Sequence, residues 1–91
     1  MSGTNGAGVK ARARIDVMLK PEIADPQGRT VEKALPTLGW ENVSDVRVGK
    51  HLELLLEGPS IDALREQVEA MCERFLANPV IESYTVTLDP A

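Results

Sequence analysis

The sequence predicts an α+β fold in the order β-α-β-β-α-β, with two helices on one face of a four-stranded antiparallel sheet. Three stretches, residues 11–19, 45–57 and 80–88, alternate apolar and polar side chains with the period of two that marks a half-buried strand. Two intervening stretches repeat apolar residues at spacings of three and four, the mark of an amphipathic helix. A chain of 91 residues has room for a single core, so all of these elements must share it.

Residues 1–9 are rich in Gly, Ser and Asn with almost nothing to bury and read as a disordered tail, leaving residues 10–91 as one domain. The first strand places Ala11, Ala13, Ile15, Val17 and Leu19 on one face and Arg12, Arg14, Asp16 and Met18 on the other, and Pro21 closes it. In Asp25-Pro26-Gln27-Gly28 a capping side chain precedes a proline at the first helical position, a helix-start signal. Val31, Ala34, Leu35 and Leu38 form the apolar stripe of that helix and Gly39 stops it. Pro36 removes a backbone donor inside the pattern, so the helix should be short or kinked there.

Val46 and Val48 alternate with Asp45 and Arg47, and Leu52, Leu54 and Leu56 alternate with His51, Glu53, Leu55 and Glu57. Gly49-Lys50 between them predicts a two-residue hairpin of type II′, with glycine at positive φ. Ser60 caps a second helix, with Asp62 in its first turn. Ile61, Leu64, Val68, Met71, Phe75 and Leu76 make its stripe, and Asn78-Pro79 ends it. The last strand sets Tyr84, Val86 and Leu88 against Ser83, Thr85 and Thr87.

The net charge of −4 has the wrong sign for a protein held to nucleic acid or anionic lipid by its overall field. Residues 1–8 lack a signal peptide's basic and apolar regions and no window is apolar enough to span a bilayer, so a cytoplasmic protein is expected. Cys72, the single cysteine, rules out an internal disulfide and a paired-thiol metal site. A domain this small buries only about 60–65% of its unfolded surface, which favours self-association.

Chemistry-bearing patterns are sparse. The exposed positions of the first and third strands lack the aromatics that stack RNA bases, and no P-loop, dinucleotide fingerprint or histidine cluster occurs. Cys72 beside Met71 reads as a small buried hydrophobe. His51 reads as a surface or interface residue without an orienting partner in the sequence. Glu53 and Glu57 are best explained by cross-strand pairing with Arg47, Arg12 or Arg14. No catalytic residue, metal ligand or bound cofactor is expected. Met18 and Leu55 interrupt the polar sheet face and, with Tyr84, are the expected oligomer contacts. A regulatory module of ACT-like topology that binds a small molecule is the alternative reading of this architecture.

Leu19-Lys20-Pro21, Asp25-Pro26-Gln27-Gly28, Ala34-Leu35 with Leu38-Gly39, residues 46–50, Met71-Cys72 and residues 76–84 follow one another at a spacing that resembles the PurS family. This family supplies the small subunit of bacterial phosphoribosylformylglycinamidine (FGAM) synthase. The resemblance spans about residues 11–88; Pro36, where a helix former is usual, and the tail through Val9 depart from it. It implies a non-catalytic subunit of purine biosynthesis that forms dimers or tetramers. Such subunits join a PurQ-type glutaminase, which releases ammonia, to a PurL-type synthetase, which uses ATP and Mg to convert FGAR to FGAM. The turn residues Asp25, Pro26, Gln27, Gly28, Gly49, Lys50, Asn78 and Pro79 are the expected partner contacts.

Overall fold

The computed structural model describes residues 8–91. The tail expected from the sequence lies mostly outside these residues, but Val9, read as its last residue, already pairs with Gly58. It opens strand β1, Val9–Leu19. Helix α1, Pro26–Ala34, follows and tightens into a 3-10 turn, Leu35–Leu38. Strand β2 is Gly49–Gly58. Helix α2, Ile61–Met71, continues into a single π turn, Cys72–Leu76, and strand β3, Glu82–Pro90, ends the fold.

Among the described residues the sheet has three strands in the order β2-β1-β3, not four, with β1 antiparallel to both neighbours. The expected hairpin at Gly49-Lys50 does not form. Both residues lie inside β2, where Gly49 pairs with Met18 and Lys50 with Val17. Val46 and Val48 have the side-chain alternation of a strand, yet their amides donate to carboxylates, Val46 N to Glu32 Oε1 at 3.0 Å and Val48 N to Asp25 Oδ2 at 2.8 Å. A backbone whose donors are met by side chains needs no neighbouring strand.

The core lies between the sheet and α2. Ala11, Ala13, Ile15 and Val17 of β1 meet Leu64, Val68 and Cys72, all essentially sealed from water. The two alanines leave room for the helix to approach the central strand closely. Ser60 accepts from Ala63 N at 3.1 Å and caps α2 as expected. Cys72, four residues after Val68, is sealed from water, and the π turn that begins there adds one residue to the helical repeat and turns Phe75 outward. Phe75, expected in the stripe, is 85% exposed as a result.

Helix α1 does not share this core, contrary to the expectation of two helices on the sheet. It packs against its own 3-10 turn, and Gly28 is its one buried residue. Residues 20–48 therefore form an arm. The chain measures 57 × 28 × 15 Å with a radius of gyration of 18.0 Å, whereas a compact domain of this length has about 12 Å.

Candidate functional site

Two surfaces gather the residues singled out from the sequence: the root of the arm and the open face of the sheet. At the arm root, Asp25 caps α1 by accepting from Gly28 N at 2.9 Å through Oδ1, while Oδ2 accepts from Val48 N. These two amides, the Gly28 one foremost, hold the Asp25 carboxyl below its ordinary range, and the nearby Arg47 charge acts in the same direction. Arg47 lies across the base of the loop. Its Nη2 donates to the carbonyls of Lys20 at 3.0 Å and Leu19 at 3.3 Å, and its Nε is 3.7 Å from Asp25 Oδ2.

Arg47 therefore does not pair with Glu53 or Glu57, as its charge alone suggested. It ties residues 19–25 to residues 45–48. Gly28 is required by close approach: a Cβ there would be driven into the Val46 carbonyl and the Asp25 carboxyl. The Asp25-Pro26-Gln27-Gly28 motif thus divides. Asp25 and Gly28 point inward and build the clamp, while Pro26 and Gln27 face solvent. Beside the clamp, Glu22, Asp25, Glu32 and Asp45 face Arg29 and Arg47 across an open cleft of about 570 Å³. Four carboxylates against two guanidinium groups make it a poor receptor for an anion.

On the open face, side chains from the three strands interlock. His51 Nδ1 lies 2.7 Å from Asp16 Oδ1 and Nε2 lies 2.9 Å from Glu53 Oε2. These two hydrogen bonds, the Asp16 one foremost, raise the His51 pKa, and the bond to His51 lowers that of Glu53. Arg12 is 3.6 Å from Glu53, and Arg14 pairs with Asp89. The sequence carried a signal for the His51 bracket: Asp16 and His51 become direct partners once β1 and β2 pair. With both ring nitrogens engaged, His51 is a cross-strand tie.

The expected oligomer contacts do not form one surface. Met18 and Leu55 lie at separate places on the open face, Met18 beside Gly49 and Leu55 opposite Arg12. A Cβ at Gly49 would strike the Met18 side chain and the Val17 carbonyl. Tyr84 is on the opposite face, paired with Val17. Its hydroxyl donates to Glu73 Oε2 at 2.7 Å, the main reason its pKa is pushed up to about 12. Asn78 builds the turn before β3: its side chain accepts from Val80 N at 3.1 Å and its amide donates to Glu82 Oε1 at 2.6 Å. Pro79 and Lys50 are exposed. Cys72 is fully buried and burial pushes its thiol pKa up, away from nucleophilic reactivity. No helix among the described residues is long and apolar enough to cross a membrane.

The family model PurS, phosphoribosylformylglycinamidine (FGAM) synthase, matches residues 12–90, nearly the whole of this fold. The chain belongs to the PurS family. PurS chains are subunits of FGAM synthase, a ligase of purine biosynthesis, and the chain is one of them. It is 46% identical to the FGAM synthase subunit PurS of Synechocystis sp. over 71 residues, 78% of this chain and 71% of that one. The crystal structure of PurS from Methanocaldococcus jannaschii superposes with a TM-score of 0.80 at 33% identity, covering 89% of this chain and 98% of that one. A chain of the PurLQS structure from Thermotoga maritima superposes with a TM-score of 0.81 at 32% identity, covering 88% and 98%. The three-stranded sheet and the two helices are thus the PurS architecture.

Proposed function

We propose that this chain is the non-catalytic subunit that joins a PurQ-type glutaminase to a PurL-type ATP-dependent synthetase and assists the passage of ammonia between them. The carrying observation is the similarity over 98% of a chain from the Thermotoga maritima PurLQS assembly. What the side chains do supports the reading. The cysteine is packing, the histidine is a tie between strands, and the conspicuous motif residues Asp25, Gly28 and Arg47 are spent on shaping an arm. The protein works in the cytoplasm as a homodimer or tetramer and holds no cofactor. ATP and Mg belong to the synthetase. Pro26, Gln27, Lys50 and Pro79 are the solvent-facing residues through which it meets its partners.

Size-exclusion chromatography with light scattering, on this chain mixed with the synthetase and glutaminase of the same source, tests the reading. With glutamine and ATP present, the three are expected to co-elute, and omission of this chain is expected to separate the other two. Co-elution of the synthetase and glutaminase without it would contradict the bridging role.

A further inference from the structure

We infer that the outer face of α2, together with the exposed Phe75 at its end, is a docking surface for a partner protein whose own surface is basic around an apolar socket. The inference rests on the joining role proposed above and assigns one of the surfaces that perform it. Phe75 is 85% and Val80 77% exposed, more than Leu38 and Trp40 of the arm at 67% and 56%. Pro79, exposed beside Val80, already stands among the residues proposed to meet partners. Phe75 is the only phenylalanine, and it is presented to water by a π turn, an irregularity frequent at functional sites.

This end of the body is firmly held. Ala77 N donates to the Cys72 carbonyl at 3.0 Å across the π turn, and both residues are buried. The Asn78 carbonyl accepts from Ile81 N at 3.1 Å and Glu82 N at 2.7 Å, and Lys20 N donates to the Ile81 carbonyl at 2.9 Å. An aromatic ring standing in water on a rigid support loses little freedom when a partner covers it, which is the character of an interface anchor.

Charge says what kind of partner fits. Asp62, Glu66, Glu69 and Glu73 follow one another at spacings of four, three and four, so they share one face of α2 and its π turn, and all four are exposed. None of them joins an ion pair among the described residues. Glu69 and Glu73 lie toward the negative end of the helix dipole, and acidic neighbours four apart repel, so local stability does not account for the stripe. Of the two arginines on these elements, Arg65 reaches over to the Val86 carbonyl at 3.5 Å and Arg74 is the single positive charge next to Phe75. Lysines and arginines of a partner complement such a face, with Phe75 seated in an apolar socket between them. Helix α2 covers one side of the sheet while Arg12, His51 and Glu53 lie on the other, so docking here leaves the open face free.

The test tethers the full-length chain through its amino terminus and follows binding of the purified synthetase, the purified glutaminase and their equimolar mixture by interferometry, with glutamine and ATP present, at low and high salt. Wild type is compared with Phe75→Ser and with Glu66→Lys combined with Glu69→Lys. These positions are exposed, and circular dichroism checks each fold. Phe75→Ser is expected to weaken binding about 10- to 100-fold and to leave its salt dependence unchanged. The charge reversal is expected to slow association about 10-fold at low salt and to flatten the salt dependence. Wild-type affinity in both variants would overturn the inference and leave the joining role standing. Loss in Phe75→Ser with association undiminished by the charge reversal would overturn the basic character of the partner, and with it the inference. A wild-type chain that captures neither subunit nor their mixture would overturn the joining role as well.

Discussion

Ile15, Val17, Leu64 and Val68 are closed off from water between the sheet and α2, whereas Val31, Leu38 and Trp40 of the arm stand in it. The body is held by apolar burial and the arm by polar contacts: an aspartate cap, a glutamate on a backbone amide and an arginine on backbone carbonyls. Burial is cooperative and indifferent to pH, while a clamp of carboxylates can be opened locally and by acid. The proposed joining role gains from that division, because the rigid body and the arm can respond to different influences.

The comparison breaks most visibly in the body. Leu64→Ala removes a fully buried side chain between α2 and the sheet and should cost about 3 kcal/mol, read as an earlier urea midpoint by circular dichroism. Gly28→Ala should act on the arm alone. The added methyl group collides with the Val46 carbonyl and opens the clamp, at about 1–3 kcal/mol of local stability. Hydrogen exchange should quicken by about 5- to 150-fold at Val46 and Val48 and stay unchanged at Ile15 and Val17.

Acid should separate the two regions by the same route. The Asp25 pKa is lowered in the folded state, so its contribution is fully present above the ordinary value of 3.8 and is lost as pH falls through the depressed value. The Val48 amide should lose protection in that window before the body unfolds. Asp25→Asn should remove the acid dependence, with Val48 already unprotected at neutral pH. The smallest effect belongs to His51. Its pKa is raised, so its contribution is fully present below 6.5 and fades as pH rises through the folded value. An NMR titration of the His51 ring should show a midpoint above 6.5, and Asp16→Asn should lower it.

Strand β1, both helix caps and the face assignments of β2 and β3 were legible because each is written in neighbouring residues. The period of two separated Leu52, Leu54 and Leu56 from His51, Glu53 and Leu55, and Pro36 marked the place where α1 tightens into a 3-10 turn. What could not be read depended on distant partners. Val46 and Val48 alternate like a strand, but only the fold shows that Asp25 and Glu32 take their amides. The stripe of α1 has the pattern of a core helix, and periodicity does not say whose core. The π turn at Cys72–Leu76 has no signal in spacing and displaced Phe75 from the expected stripe. At the candidate site, the sequence pointed to the motif residues but not to their geometry: Asp25 and Gly28 shape the arm from within while Pro26 and Gln27 face outward.

The most direct test of an assembly subunit that serves ammonia transfer is to reconstitute FGAM formation from the purified synthetase and glutaminase, with and without this chain, supplying nitrogen either as glutamine or as an ammonium salt. The account predicts that this chain alone turns nothing over, that glutamine-dependent synthesis requires it, and that ammonium-dependent synthesis by the synthetase proceeds nearly as well without it. Full glutamine-dependent synthesis in its absence would contradict the account.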